Sequence, residues 1–251
     1  MTEDGDLGQV EQNTAAWLRC LRKAVACGKI IVETADVDLS EDFGGLVICL
    51  LARSVSIARA VVHLVDLGHV VEARMLTRSM FENEIYLEQL ASEDGKAFVD
   101  EIKEDSALHH RGLGVAIAAS PGGSARVEEI VALSRQQYPK LKGLTPSNVA
   151  TRGGMQAAYA FYKQLSSDAG HPSITALKRH FVESAGNGGF FVEPQIKDGE
   201  AMNTAYLAAV ALLEVGCGVS RTPGVKWAAG YRRAPLSTSR SISGRAAACP
   251  A

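Results

Sequence analysis

The sequence predicts an all-α protein, and three observations carry that prediction. Alanine occurs 36 times among 251 residues, and Leu, Val and Glu, which also favour or tolerate helices, are frequent. Apolar residues recur at helical spacing through most of the chain, while runs alternating β-branched or aromatic with polar residues are scarce. Glycine and proline gather at a few places that divide the periodic stretches. The expectation is one helical bundle of about seven helices over residues 1–220, followed by a basic, low-complexity and disordered tail over 221–251.

The elements follow in order. A first helix is expected from Gly8 to Ala35, with Trp17, Leu18, Leu21, Val25 and Ile31 on its apolar side. Cys20 and Cys27, seven residues apart, share a face there as packing thiols. Ser40 is a suitable N-cap for a second helix, with Glu41 and Asp42 in a first turn whose dipole favours acids. That helix should reach Leu67 and stop at Gly68. A third follows from His69 to Ala91 and a fourth from Glu93 to Ala118, closed by Ser120-Pro-Gly-Gly123. Ser124 and Glu128 frame a fifth that Pro139 ends. Residues 139–152 read as a connecting loop. A sixth helix runs from Gly154 to Asp168, and Gly170 suits the left-handed residue that ends a helix. A short helix over 174–181, a turn at Gly186–Gly189 and an extended 190–194 precede a seventh helix from Gly199 to Val215.

Charge is unevenly placed. The net value is −2, but residues 1–220 carry −8, and six basic groups without an acid give the last 31 residues +6. Such a body is a poor general polyanion binder, whereas the tail can touch polyanions by charge alone. The five cysteines form no C-x-x-C pair, and the acidic N-terminus lacks the pattern of a secretory signal. These features point to a reducing cytoplasm. The apolar stretch 46–65 contains Arg53, Arg59 and His63, and 205–219 contains Glu214, so neither is expected to span a membrane.

Two polar constellations stand out. Arg74, Arg78 and Glu82 succeed one another at four-residue steps among Met75, Leu76, Met80, Phe81 and Ile85. They form a stripe that can enter the bundle. Tyr162 and Ser166 share a later helical face, and His171 follows Gly170, with Pro172 restricting its backbone. An imidazole just beyond a helix C-terminus is favoured in its proton-donating form. Guanidinium groups suit phosphate or carboxylate. Arg74, Glu82, Tyr162 and Ser166 are therefore the candidate ligand-binding residues, with Arg78 and His171 as the candidate catalytic pair. The partner is expected to be an anionic small molecule or RNA, and metal-independent RNA cleavage is the chemistry that best suits an Arg–His pair. The competing expectation is a hydrogen-bond network of purely structural use. No E-x-x-H or other metal spacing occurs, so neither a metal nor a cofactor is expected. A homodimer is compatible with the chain.

Arg78-Ser-Met-Phe-Glu82, with Tyr162-x-x-x-Ser166 and His171-Pro-Ser173, resembles a family of uncharacterised bacterial all-helical proteins. The likeness covers roughly residues 40–215. It implies a helical bundle in which Arg78, Glu82, Tyr162, Ser166 and His171 come together, with no settled activity. A more distant similarity is to the HEPN group of ribonucleases and defence proteins, which carry an Arg, four to six residues and a His on one helix. Here the nearest case, Arg59 to His63, has three intervening residues. A site of that type would have to combine Arg78 and His171 from separate segments.

Overall fold

A computed structural model describes residues 3–38, 42–122, 124–170, 172–182 and 189–227. Among them are nine α-helices and four two-residue strands, so the chain is all-α. The helices are α1 (Glu3–Thr34), α2 (Asp42–Asp66), α3 (Val70–Ala91), α4 (Gly95–Ala118), α5 (Ala125–Gln137), α6 (Pro146–Arg152), α7 (Gln156–Leu165), α8 (Ile174–Leu177) and α9 (Glu200–Arg221). Strand β1 (Ala35–Asp36) pairs antiparallel with β4 (Lys226–Trp227), and β2 (Phe181–Val182) with β3 (Gly189–Phe190).

The core is a bundle of α1, α2, α3 and α9, each packed on its neighbours. Leu18 and Leu21 of α1, Val47, Leu51, Ala58 and Val61 of α2, Met80, Phe81, Ile85 and Leu87 of α3, and Leu207, Ala211 and Val215 of α9 fill it. By length and composition α2 and α9 are apolar enough to cross a membrane, but 39% and 56% of their apolar windows are buried inside the bundle. Small residues set the spacing. A side chain at Gly218 would come within 2.9 Å of Leu87 Cδ2, and one at Gly28 within 2.6 Å of Val55 Cγ2. Glycine at those two positions lets α9 approach α3, and α1 approach α2.

The expected helix boundaries agree with the structure to within a few residues for α2 to α5. Gly68 has φ of 82°, the left-handed backbone that stops a helix, and the Ser124 side chain accepts the Val127 N–H as the N-cap of α5. The cap expected at Ser40 lies outside the described residues. Between 139 and 152 the structure holds α6 rather than a plain loop. Thr145 accepts from the Asn148 N–H, and Pro146 begins the helix, the one helical position that tolerates its missing N–H. The last helix reaches Arg221, six residues beyond Val215, because Val219 continues its buried face. Lys226 and Trp227 return along Ala35 and Asp36. The start of the stretch expected to be disordered is thus an ordered return, and 228–251 lies outside the described residues, as does the turn expected at Gly186.

Segments α4 to α8 form an excursion between α3 and α9. In it α6 and α7 pack on the outer side of α3, whereas α4 and α5 form an antiparallel hairpin in which α5 rests on α4.

Candidate functional site

On α3 the side chains of Met80, Ile85 and Leu87 are fully buried, and the polar stripe lies beside them. Arg78 is half-buried and reaches the C-terminal end of α7, where its Nε donates to Oγ of the capping Ser166 at 2.6 Å and one Nη to Tyr162 Oη at 2.5 Å. The guanidinium carbon also stands 4.4 Å from the centroid of the Tyr162 ring, a cation–π arrangement. Tyr162 in turn stacks on Tyr159, with ring centroids 5.8 Å apart. Ser166 is buried and donates its hydroxyl proton to the Tyr162 carbonyl at 2.8 Å.

The backbone beyond α7 completes the wall. Ser166–Gly170 forms a π-helical turn, the wider winding often found at functional positions. Gly170 is not left-handed, contrary to the expectation, since the positive-φ glycines are at 68, 122, 154, 199 and 224. A Cβ on Gly170 would lie 3.3 Å from Arg78 Cδ, so glycine serves here as a site of close approach. The bare backbone lets the arginine stem pass. Ser173 caps α8 by accepting the Ala176 N–H, and its hydroxyl donates to the Ser167 carbonyl.

The structure therefore brings together Arg78, Tyr162 and Ser166. Their spacing explains why: Tyr162 and Ser166 are one helical turn apart, and Arg78 lies on the part of α3 that α7 covers. Among the described residues no carboxylate pairs with Arg78. Glu82 is half-buried on the same helix and makes no ion pair with it. Its charge instead acts on Tyr86, whose hydroxyl is pushed up to about 12, first by burial and then by the charges of Asp105 and Glu82. His171 lies outside the described residues.

Arg74 has other company. It is 3% exposed, donates to Thr204 Oγ1 at 3.4 Å and lies 3.7 Å from Glu200 Oε1. Glu200 is held by Arg179 through two hydrogen bonds and by the Lys197 N–H at 3.0 Å. Arg179, itself 4% exposed, also donates to the Gln195 carbonyl. Burial works against the Glu200 carboxylate, yet those hydrogen bonds and the charges of Arg179 and Arg74 outweigh it and hold its pKa below the ordinary value. This network ties the segment after α8 to the start of α9 and to α3. Sequence reading missed Arg179 and Glu200. Both sit where the helical periodicity breaks, and no spacing rule links residues 21 apart.

A second overlooked group is Glu84, also on α3. It is 7% exposed, and its Oε2 finds no hydrogen-bond partner among the described residues. Burial, followed by the charges of Glu214 and Glu88, pushes its carboxyl up to about 8. Its signal in the sequence was position: Met80, Glu84 and Leu87 share the buried face of one helix. Among the described residues no group of three or more His, Cys, Asp or Glu side chains is placed to hold a metal ion.

Residues 45–190 match the model of a family of unknown function (DUF5677). The chain belongs to this family. The matched span runs from the start of α2 to β3 and includes every residue of the Arg78–Tyr162–Ser166 cluster. No curated protein and no solved structure matches the chain.

Proposed function

We propose that this DUF5677 protein binds an anionic ligand at Arg78, with Tyr162 and Ser166 shaping the guanidinium for it. One observation carries the reading. Arg78 is a half-buried cation oriented by two hydroxyls and an aromatic ring, with no carboxylate partner among the described residues. A guanidinium has five N–H donors, of which two are engaged here. The remaining ones suit the paired oxygens of a phosphate or carboxylate. Because Tyr162 Oη accepts from Arg78, its own proton is free for the same anion.

The finer reading is metal-independent RNA cleavage by a cytoplasmic defence or stress protein. The 2′-hydroxyl attacks the adjacent phosphorus, the 5′-oxygen leaves, and charge gathers on the non-bridging oxygens, where Arg78 offsets it. His171, the residue after Gly170, supplies the imidazole that takes or returns a proton. The −8 body repels RNA in general, so the affinity rests on this local group and on the basic tail.

The structural reading is favoured at one residue, Arg74, whose buried contacts with Thr204 and Glu200 serve to hold α9. It is not favoured at Arg78, which retains unengaged donors. The test is titration calorimetry with inorganic phosphate, nucleotides and a short RNA, alongside a cleavage assay in chelator. Arg78→Ala should lose binding at least tenfold while circular dichroism stays unchanged, and His171→Ala should lose cleavage but keep binding. If none of the three probes binds the native chain, the anion reading is wrong. If they bind and no RNA is cut, only the cleavage step falls.

A further inference from the structure

Where α3 ends and α4 begins, the fold leaves a second polar site, separate from the Arg78 cluster. A cavity of about 540 Å³ opens there, walled by Gln89 and Ser92, by Glu93 and Asp94 before α4, by Glu101 on α4 and by Arg152 at the end of α6. From Arg78 to Gln89 is roughly 16 Å along the axis of α3.

The wall holds an unpaired acceptor. Gln89 is 6% exposed, and its Oε1 is buried with no hydrogen-bond partner among the described residues. The contacts of Ser92 fix which amide atom is which. Ser92 Oγ donates its one proton to the Gln89 carbonyl at 2.7 Å, so the amide atom 3.1 Å from it is the donating Nε2. Oε1 is thus turned away from Ser92 and toward the wall that carries Arg152, where a Cβ on Gly153 would stand 3.8 Å from it. A buried acceptor without a donor costs free energy, and an N–H from a ligand removes that cost.

The charge of the walls points the same way. Three carboxylates and one guanidinium line the cavity. Arg152 is engaged by Glu101, whose two oxygens each accept from it at 2.8 Å, and it also lies over the Phe98 ring. Glu93 and Asp94 are exposed. Asp94 is the N-cap of α4, yet its side chain makes no capping hydrogen bond, and it reaches Arg152 through charge alone. Two negative charges therefore stand beside the unpaired amide oxygen. These groups do not converge as a metal ion requires, since among the described residues no three His, Cys, Asp or Glu are placed to hold one. The cation that suits them carries its charges and its N–H donors along a chain.

We infer that this cavity binds an aliphatic polyamine, one amino nitrogen donating to Gln89 Oε1 and the other ammonium groups facing Glu93 and Asp94. Its volume is that of a small-molecule site. The exposed carboxylates draw the cation in and are screened by salt, whereas the buried amide gives the contact that salt does not screen.

Titration calorimetry of the full chain with spermidine tests this. One spermidine per chain is expected, with an affinity that falls as salt rises. Gln89→Leu should weaken it about tenfold, the size of one hydrogen bond from a charged donor. Asp94→Asn, which keeps a good N-cap, should weaken it about threefold, the size of one exposed charge pair. If Gln89→Leu does not fold, Asp94→Asn decides. A native chain that takes up no spermidine overturns the proposal. Release of bound spermidine by magnesium, beyond that caused by sodium at equal ionic strength, does so too, because a divalent ion then holds the same groups. Unchanged affinity in folded Gln89→Leu or in Asp94→Asn also overturns it.

Discussion

At the scale of single residues, the side chains that matter are polar groups on the inner face of α3, and their roles diverge within a few positions. Each four-residue step along a helix rotates a side chain by about 40°. That rotation carries Arg74 toward α9 and Arg78 toward α7. The sequence shows the stripe but not the rotation relative to its neighbours, so Arg74 and Arg78 read as one pair when they belong to two clusters. Tyr162 and Ser166 were legible because a shared face needs only local spacing. Gly170 was legible as a special position for a reason the structure replaces: it admits the Arg78 stem. Glu84 yields a sharp prediction. Its carboxyl is raised from 4.5 to about 8, so the folded state holds the proton more tightly than the unfolded chain. Stability is then fully present below pH 4.5 and falls as pH rises through 8. Glu84→Gln removes that loss. The variant should gain stability over the parent progressively between those values, by several kcal/mol at the limit, read as a growing Tm difference between pH 5 and pH 8.

At the scale of elements, close helix approach is bought with glycine. Gly95 opens α4, and a Cβ there would fall 1.9 Å from the Leu90 carbonyl oxygen and 3.0 Å from the Phe43 ring. Backbone cannot yield as a side chain end can. Gly95→Val should therefore cost more stability than Gly218→Val, where the obstacle is the Leu87 side chain, and chemical denaturation of the two variants ranks them. Both should lose at least the 1–3 kcal/mol typical of overpacking. Most helices were legible because capping and periodicity are local signals. The short α6 was not: its seven residues sit in a stretch whose prolines and glycines signal a loop, and packing on α3 stabilises it. The Arg179–Glu200 pair belongs to this scale as well, because it fastens the irregular segment after α8 to the first turn of α9. Breaking a buried ion pair typically costs 3–5 kcal/mol. Glu200→Ala should destabilise by that order, measured by urea unfolding, and leave the Arg78 cluster in place in anion titrations.

At the scale of the whole molecule, the chain builds three core helices, leaves for the excursion that carries the Arg78 cluster and the hairpin, and returns with the fourth. The fold class could be read from composition and periodicity. The order of packing could not, because contacts between α1 and α9 join residues nearly 200 apart in sequence, and an apolar face does not name its partner. The family match divides this architecture unevenly. It takes in α2, α3 and the excursion and leaves out α1 and α9, which are half of the central bundle. A chain cut back to residues 45–190 would thus keep the polar cluster and lose the two helices that cover the inner faces of α2 and α3. It would also lose Thr204 and Glu200, two of the groups that hold the buried Arg74 guanidinium. Expressed alone, that segment should be found in the insoluble fraction, and adding α1 and α9 as two separate peptides should restore it to solution. The stretch that marks the family is shorter than the stretch whose helices enclose the core.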